Sequence, residues 1–355
     1  MNVLMFTPKV DPSDPFLGFA CGWIRALATQ VDSLVVLTLD ACETNLPPNI
    51  TIYSLNKSRV PHPLFLLPRF LKTVSMIFSR HRVDVIFCHM FPEFTLLMAP
   101  FAALYGKPIV MWYAHKNVSL LLRVAEAFAT KIVTSSAEGF RLPSPKKVVV
   151  GQGIDTDFFK PLPGFIPDAR KFVSVGRISP IKDYETLVAA MSRLRTRGFQ
   201  DLMLDVIGEP LMPQGIAYLA SLKQKVLACW LEKTVCFLGG VAFSALPTRL
   251  RGYGVFLHAS RTGSIDKAAL EAMSTGLLLL TSNIALKKLL GAFGEPLFFA
   301  EGDSTSLAKK IEFVLSLDQK QRARLSKGLR RRVVEKHSIK NLANNLVNVF
   351  RGCLA

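Results

Sequence analysis

Residues 160–176 read KPLPGFIPDARKFVSVG, and the organisation of the whole chain turns on this stretch. Its first part, KPLPGFIPD, holds three prolines and a glycine, a composition that stops both helix and strand and marks a linker. Its last part, KFVSVG, is a short apolar run closed by a glycine, a strand delivered into a loop. Toward the N-terminus, apolar runs at 2–7, 33–39, 50–54, 83–89, 108–114, 131–135 and 148–152 alternate with longer helical stretches. Toward the C-terminus the alternation restarts, with runs at 171–176, 202–207, 235–238, 255–259, 277–281 and 297–300. Most of these runs are apolar on both faces, as strands covered by helices on both sides are, so each set predicts a parallel sheet built from βαβ units. The 355 residues exceed one ordinary core. The expectation is an α/β chain of two domains, 1–160 and 169–336, joined by a linker at 161–168, with a cleft between them. The final segment 337–355 carries apolar residues at Ile339, Leu342, Ala343, Leu346, Val349 and Phe350, the spacing of a docking helix.

Composition narrows the classes. The formal charge is +18; up to Lys160 there are 16 basic against 11 acidic residues, and beyond it 28 against 15. Such a surface attracts an anion, whether nucleic acid, acidic lipid or a phosphorylated ligand. Cys21, Cys42, Cys88, Cys229, Cys236 and Cys353 form no Cys-x-x-Cys pair, which argues against a zinc site or a disulfide framework. No carboxylate cluster suggests a metal site. The chain opens on the strand NVLMFT at 2–7, with neither a basic leader nor a cleavage site, so the expected location is the cytoplasm. The most apolar window, 94–112, is interrupted by Pro100, Gly106, Lys107 and Pro108 and reads as helix, turn and strand rather than a membrane span. Asn49, Asn56 and Asn117 match the glycosylation triplet by chance in such a protein.

In an open parallel sheet, ligands bind beyond the carboxyl ends of the strands. Two constellations stand there. In the first, Gly176 closes a strand and Arg177 and Lys182 follow; the two cations suit a diphosphate, Arg as a fork and Lys as a point charge, or are solvated loop cations. The second is SRTGSIDKAALEAMSTG at 260–276: Gly263 and Ser264 form a turn, Ser264 is the expected N-cap, and a helix runs on to Gly276. A helix N-terminus after a small-residue loop is an anion site. By spacing alone, Asp266 equally suits the helix dipole, and Lys267 with Glu271 equally describes a surface pair worth about 0.2–0.5 kcal/mol.

The strings GQGID at 151–155, VGRISPIKDYETL at 175–187, VIG at 206–208, FLGGV at 237–241 and LEAMSTG at 270–276 occur in order. This series resembles the family-4 retaining glycosyltransferases of the GT-B fold, over about residues 148–282. The N-terminal half is similar more loosely, through GF at 18–19, WYAH at 112–115 and VTSS at 133–136. The resemblance implies two Rossmann-like domains with parallel sheets facing across the cleft, the first binding the acceptor and the second the nucleotide-sugar, and a final helix at 337–355 that crosses back to the first. It implies transfer of a sugar from a nucleotide-sugar to a saccharide or lipid-linked acceptor with retention, without a metal ion or other cofactor, in a role such as polysaccharide biosynthesis. It assigns Arg177 and Lys182 to the diphosphate and Glu271 to the ribose. The loop Gly263, Ser264, Ile265, Asp266 and Lys267 goes to the donor sugar and β-phosphate, and Gly208 and the turn ending at Val241 go to the base. Gly18 falls in the loop that closes on the phosphates, and His115 near the reacting centre. One departure stands out: Gly263 occupies the position of the family's earlier Glu, eight before Glu271, and Asp266 is the nearest replacement carboxylate. Rival readings are a nucleotide-sugar epimerase of the same fold and a non-catalytic nucleotide-sugar binder.

Two basic stretches remain. In PRFLKTVSMIFSRHR at 68–82, Phe70, Val74, Ile77 and Phe78 share one helical face and Arg69, Lys72 and Arg80 another. That is either an ordinary helix covering a sheet or a face for peripheral contact with an anionic membrane. Residues 320–340 hold nine Lys/Arg against Glu335 alone; without a reader motif or interleaved aromatics, they predict a solvated helix face rather than nucleic-acid binding.

Overall fold

The structure, a computed structural model, describes residues 1–14, 17–42, 46–59, 62 and 65–354. The chain forms two compact units, 1–153 together with 339–355, and 154–338.

The first unit contains β1 (Asn2–Val10), α1 (Phe19–Ala28), β2 (Ser33–Ala41), β3 (Ile50–Ser54), α2 (Leu66–Arg80), β4 (Val85–His89), α3 (Pro92–Tyr105), β5 (Ile109–Trp112), α4 (Leu120–Phe128), β6 (Lys131–Thr134) and β7 (Lys147–Val149). The strands form one sheet, ordered β3-β2-β1-β4-β5-β6-β7, with every pairing parallel. Alternation along the strands sorts the core. Val3, Met5, Leu34, Val36, Val85, Phe87, Val110 and Val133 pack on one side, with α1 and the C-terminal helix Ile339–Gly352. Leu4, Phe6, Val35, Leu37, Ile86, Cys88 and Ile109 pack on the other, with α2 and α3. The C-terminal helix buries Leu342, Ala343, Leu346, Val347 and Phe350 in this unit. At about 1.5–3 kcal/mol for each large side chain, that stripe fixes the helix to the sheet.

The second unit contains β8 (Lys171–Val175), α5 (Tyr184–Thr196), β9 (Met203–Ile207), α6 (Pro213–Ala228), β10 (Val235–Gly239), α7 (Leu246–Leu250), β11 (Val255–His258), α8 (Lys267–Thr275), β12 (Leu278–Thr281), α9 (Ile284–Leu290), α10 (Gly294–Leu297), α11 (Ser304–Ser316) and α12 (Gln319–His337). Its sheet is parallel, ordered β10-β9-β8-β11-β12. Residues 161–168 belong to this unit, where Phe165 packs against the core. Ile154 and Ser338, the ends of the unit, meet in a single parallel bridge.

Three expectations are corrected. Residues 297–300 do not make a strand: α10 ends at Leu297, and only Phe298 bridges to Thr281 before the chain turns toward Asp303, the N-cap of α11. The basic run of α12 is not uniformly solvated. Lys320, Arg324, Lys327, Arg331 and Lys336 are exposed, but three arginines turn inward onto backbone carbonyls. Arg322 donates to Pro167 and Leu317, Arg332 donates to Leu289 and lies over the Phe293 ring, and Arg330 donates to Phe159, Ser274 and Thr156. Third, the outward side of α2 is not only charged. Phe70, Val74 and Ile77 are buried and Phe78 stacks on Tyr105 at 4.2 Å, yet Leu67 and Leu71 stand exposed beside Arg69 and Lys72. Exposed Leu104 on α3, and Leu120, Val124 and Phe128 on α4 beside Arg123, continue this mixed surface. Among the described residues, no helix is long and apolar enough to cross a membrane.

Arg330→Met strands the Thr156 and Ser274 carbonyls, while the Phe159 carbonyl keeps the Ser274 hydroxyl, so its expected cost is about 2 kcal/mol in urea unfolding. Arg331→Met removes an exposed side chain whose partner, Glu335, lies one turn away, and its expected change is within about 0.5 kcal/mol.

Candidate functional site

In the second unit, β8 and β11 lie side by side and deliver two loops at their carboxyl ends. The β8 loop begins at Gly176, whose N–H donates to Ile207 at 3.0 Å and whose carbonyl accepts from the Tyr184 hydroxyl at 3.0 Å. A Cβ on Gly208 would lie 1.9 Å from the Gly176 carbonyl oxygen, and Gly208 has φ +150°, so the two loop starts pass at a distance only glycine permits. The loop then makes one tight turn over 180–182 and enters α5 at Asp183. Arg261, from the β11 loop, donates to the buried Asp183 carboxylate at 2.9 and 3.2 Å, and its N–H donates to the Ile181 carbonyl at 2.9 Å. That clamp joins the two loops and brings Lys182 to the start of α8.

The N-cap of α8 is Asp266, not Ser264. The Asp266 carboxylate accepts from the Ala268 N–H at 3.2 Å, whereas the Ser264 carbonyl is held by Asn283 at 3.0 Å. The short Asx geometry of Asp266 starts the helix at Lys267, two residues later than the serine would. Asp266 also pairs with Lys182 and, at 3.2 Å, with Nε2 of His258, the last residue of β11. Burial would push the Asp266 carboxyl up, but Lys182 and His258 outweigh it and hold it well below the usual carboxylate range. Gly263 sits at φ +70°, a left-handed position that a Glu side chain would strain. Ile265 and Ser264 are buried.

Glu271 is 6 % exposed, so the surface-pair reading of Lys267 and Glu271 is overturned. Burial pushes the Glu271 carboxyl up to about 7, against the pull of Lys267 and with a push from Asp266. Burial likewise takes Lys267 well below its usual range, while Glu271 and Asp266 favour its charge. Arg177 is exposed, and among the described residues no hydrogen bond or ion pair engages it. Lys182, Asp266, Lys267, Glu271 and His258 thus form one cluster. Val241 instead lines a groove of about 760 Å³ with Met203, Asp205 and Tyr253, apart from these residues.

In the first unit, Gly18 is the N-cap residue of α1 and donates to the Asp14 carbonyl at 3.0 Å. His115 is exposed after β5, and its Nδ1 accepts from the Asn117 N–H at 3.1 Å. Sequence reasoning missed two buried histidines, each ending a strand. His258 is one; His89, bonded to Thr7 at 2.9 Å and packed on Trp23, is the other. The available signal was a polar residue closing an otherwise apolar run. The Asp183–Arg261 clamp left no local signal, because its partners are far apart in the chain.

A family model described as glycosyl transferases group 1 matches residues 155–332. Over 213 residues the chain is 27 % identical to a GDP-mannose-dependent alpha-(1-6)-phosphatidylinositol monomannoside mannosyltransferase of Mycobacterium tuberculosis, covering 53 % of each chain. Over 110 residues it is 33 % identical to a mannosylfructose-phosphate synthase of Agrobacterium fabrum, covering 31 % of this chain and 24 % of the other. The chain spans about half the length, or less, of the curated relatives it matches. Among solved structures, Anabaena HepE in complex with UDP and glucose superposes with TM-score 0.76 at 16 % identity, covering 98 % of this chain and 99 % of that one. A sucrose-phosphate synthase from Thermosynechococcus elongatus gives 0.78 at 18 % identity, covering 99 % and 98 %.

The raised Glu271 carboxyl links stability to pH. Unfolding returns it from about 7 to its ordinary 4.5, so the folded state binds more protons between those values. Its favourable contribution is full below the lower value and lost as pH rises through the upper. Thermal unfolding from pH 4.5 to 8 is therefore expected to show wild type losing stability relative to Glu271→Gln as pH rises; a constant difference would contradict the burial account.

Proposed function

The chain belongs to the glycosyl transferases group 1 family and has the GT-B fold of two parallel-sheet α/β domains, and from that premise we propose that it transfers a sugar from a nucleotide-sugar donor to a saccharide or lipid-linked acceptor. The observation that carries this reading is the convergence of Lys182 and the start of α8, with Arg177 unengaged beside them. Two cations and a helix N-terminus suit a diphosphate. As the bond from the anomeric carbon to the diphosphate oxygen breaks, its electron pair stays on the leaving phosphate. The fixed positive groups stabilise the charge growing there, with no metal ion required. Glu271 then receives the ribose, and the loop 263–267 the sugar. We assign the chain to the retaining, family-4 type, with the first unit, including His115 and Gly18, serving the acceptor and the closing loop. UDP in the HepE complex and GDP-mannose in the mycobacterial relative's name supply the first nucleotides to try.

Peripheral contact with an anionic membrane belongs to the same proposal. It is supported by the exposed leucines of α2 and α4 interleaved with Arg69, Lys72 and Arg123, a pattern that suits lipid headgroups over an apolar layer.

Thermal unfolding against UDP, GDP and their sugar conjugates tests the donor site. A ligand at a hundredfold excess over its Kd adds about 2.7 kcal/mol, several degrees in Tm. One nucleotide is expected to raise Tm, and Arg177→Ala and Glu271→Ala to abolish the rise. No rise with any nucleotide would sink the transferase reading. For the membrane, charge reversal at Arg69, Lys72 and Arg80 is expected to weaken binding to acidic vesicles by more than the about two orders of magnitude that losing three cations costs, at about 1 kcal/mol per surface cation. Unchanged vesicle binding would remove that part of the proposal.

A further inference from the structure

His258 has no part in the donor contacts proposed above, yet it is 3 % exposed and fully bonded. Its Nε2 lies 3.2 Å from Asp266 Oδ2, the oxygen that also binds the Lys182 ammonium. Its Nδ1 lies 2.9 Å from Thr281 Oγ1, and that hydroxyl also accepts the Asn283 N–H at 3.0 Å. A hydroxyl has one proton and two lone pairs. With one lone pair taken by Asn283, Thr281 keeps a proton and a lone pair for His258. It donates to an unprotonated Nδ1 and accepts from a protonated one. His258 therefore changes charge without losing either hydrogen bond, which an ordinary buried histidine does not do.

Lys182 and Asp266 are each largely buried, with side chains 13 % and 14 % exposed, and they neutralise one another. A diphosphate reaching Lys182 competes with Asp266 for the same ammonium. Drawing Lys182 toward the ligand leaves a buried carboxylate short of countercharge, a costly state unless another cation replaces it. Of the groups touching Oδ2, His258 is the one able to do so.

We propose that His258 is a positioning residue of the diphosphate site: when an anionic ligand takes Lys182, His258 gains a proton and holds Asp266 at the start of α8, so nucleoside diphosphate binding is coupled to proton uptake. This rests on the donor site being where the preceding section puts it. The proton comes from solvent and forms an N–H at Nδ1, Thr281 turns from donor to acceptor, and Nε2–H keeps its bond to Asp266. The other titratable groups facing the cluster are Tyr184 from α5, and Lys267 and Glu271 from α8; Arg261, on the β11 loop, is engaged by Asp183. Lys267 and Glu271 are the rival sites of uptake, since burial favours a proton exchange at each.

Calorimetric titration of the full chain with UDP and with GDP, in buffers of different ionisation enthalpy at one pH, counts the protons. Wild type is expected to take up a number approaching one, with affinity falling as pH rises, by at most tenfold per pH unit. Because this needs no variant, it stands even if His258→Gln folds poorly. His258→Gln is expected to bind the same nucleotide more weakly with uptake near zero, and His258→Gln with Asp266→Asn to recover affinity, since no carboxylate is left to compensate. Binding by wild type with no buffer dependence, or uptake that survives His258→Gln and so belongs to Lys267 or Glu271, overturns the proposal and leaves the donor site standing. No binding of either nucleotide sinks both.

Discussion

Because every strand pairing in both sheets is parallel, each strand must be reached by a crossover, and both faces of each sheet must be covered by helices. That constraint explains the unusual path of the chain. In the first unit α2 and α3 cover one face, but on the other α1 alone leaves Phe87 and its neighbours to the C-terminal helix, whose Phe350 ring lies 5.4 Å from Phe87. The chain accordingly leaves this unit after Gly153 and returns to it at Ile339. Gly153 is itself shaped by that return: a Cβ there would meet Leu342 at 2.4 Å and Trp23 at 2.8 Å. The last residues are thus structural partners of the first.

The same constraint places the chemistry. With both faces occupied, the carboxyl ends of the strands are where loops are free to carry polar groups. In the second unit the loops after β8 and β11 are tied by Arg261 on Asp183 and then by Lys182 on Asp266. The second tie is unusual for an anion site, because an internal carboxylate already satisfies both the helix N-terminus and the lysine. On the proposed reading, an external anion must displace it rather than fill an empty cradle. The proposed binding then depends on how well the displaced carboxylate is compensated, and His258 and Thr281 are the groups bonded to it and behind it.

Much of this was legible in the sequence. Period and apolar runs located most of the strands, such as VIFC at 85–88, where the alternation of short apolar runs with longer helical stretches supports the strand. The run at 297–300 failed because apolar content does not distinguish a strand from a short helix followed by one bridge. Positions after strands located Arg177, Lys182 and the start of α8. The N-cap was misassigned because Ser264 and Asp266 are both good caps, and only the Asn283 bond to the Ser264 carbonyl decides between them. Burial of Glu271 was invisible to a spacing rule that sees only that Lys267 is four residues away.

Net charge was the least informative quantity, and the reason is physical. The second unit's basic excess suggested an anionic partner, yet Arg322, Arg330 and Arg332 point into the protein and satisfy carbonyls at helix ends and in the 154–168 segment. A carbonyl buried without a donor costs about as much as a lost hydrogen bond, and one guanidinium answers several at once. Those arginines are counted in the formal charge but are committed to the fold. The exposed cations of α12, such as Arg324 and Arg331, lie on another element from the loops after β8 and β11, where Arg177 is unengaged and Lys182 is held by a carboxylate. On the proposed reading, recognition of an anion depends on releasing Lys182 beside Arg177, not on how many cations the chain contains.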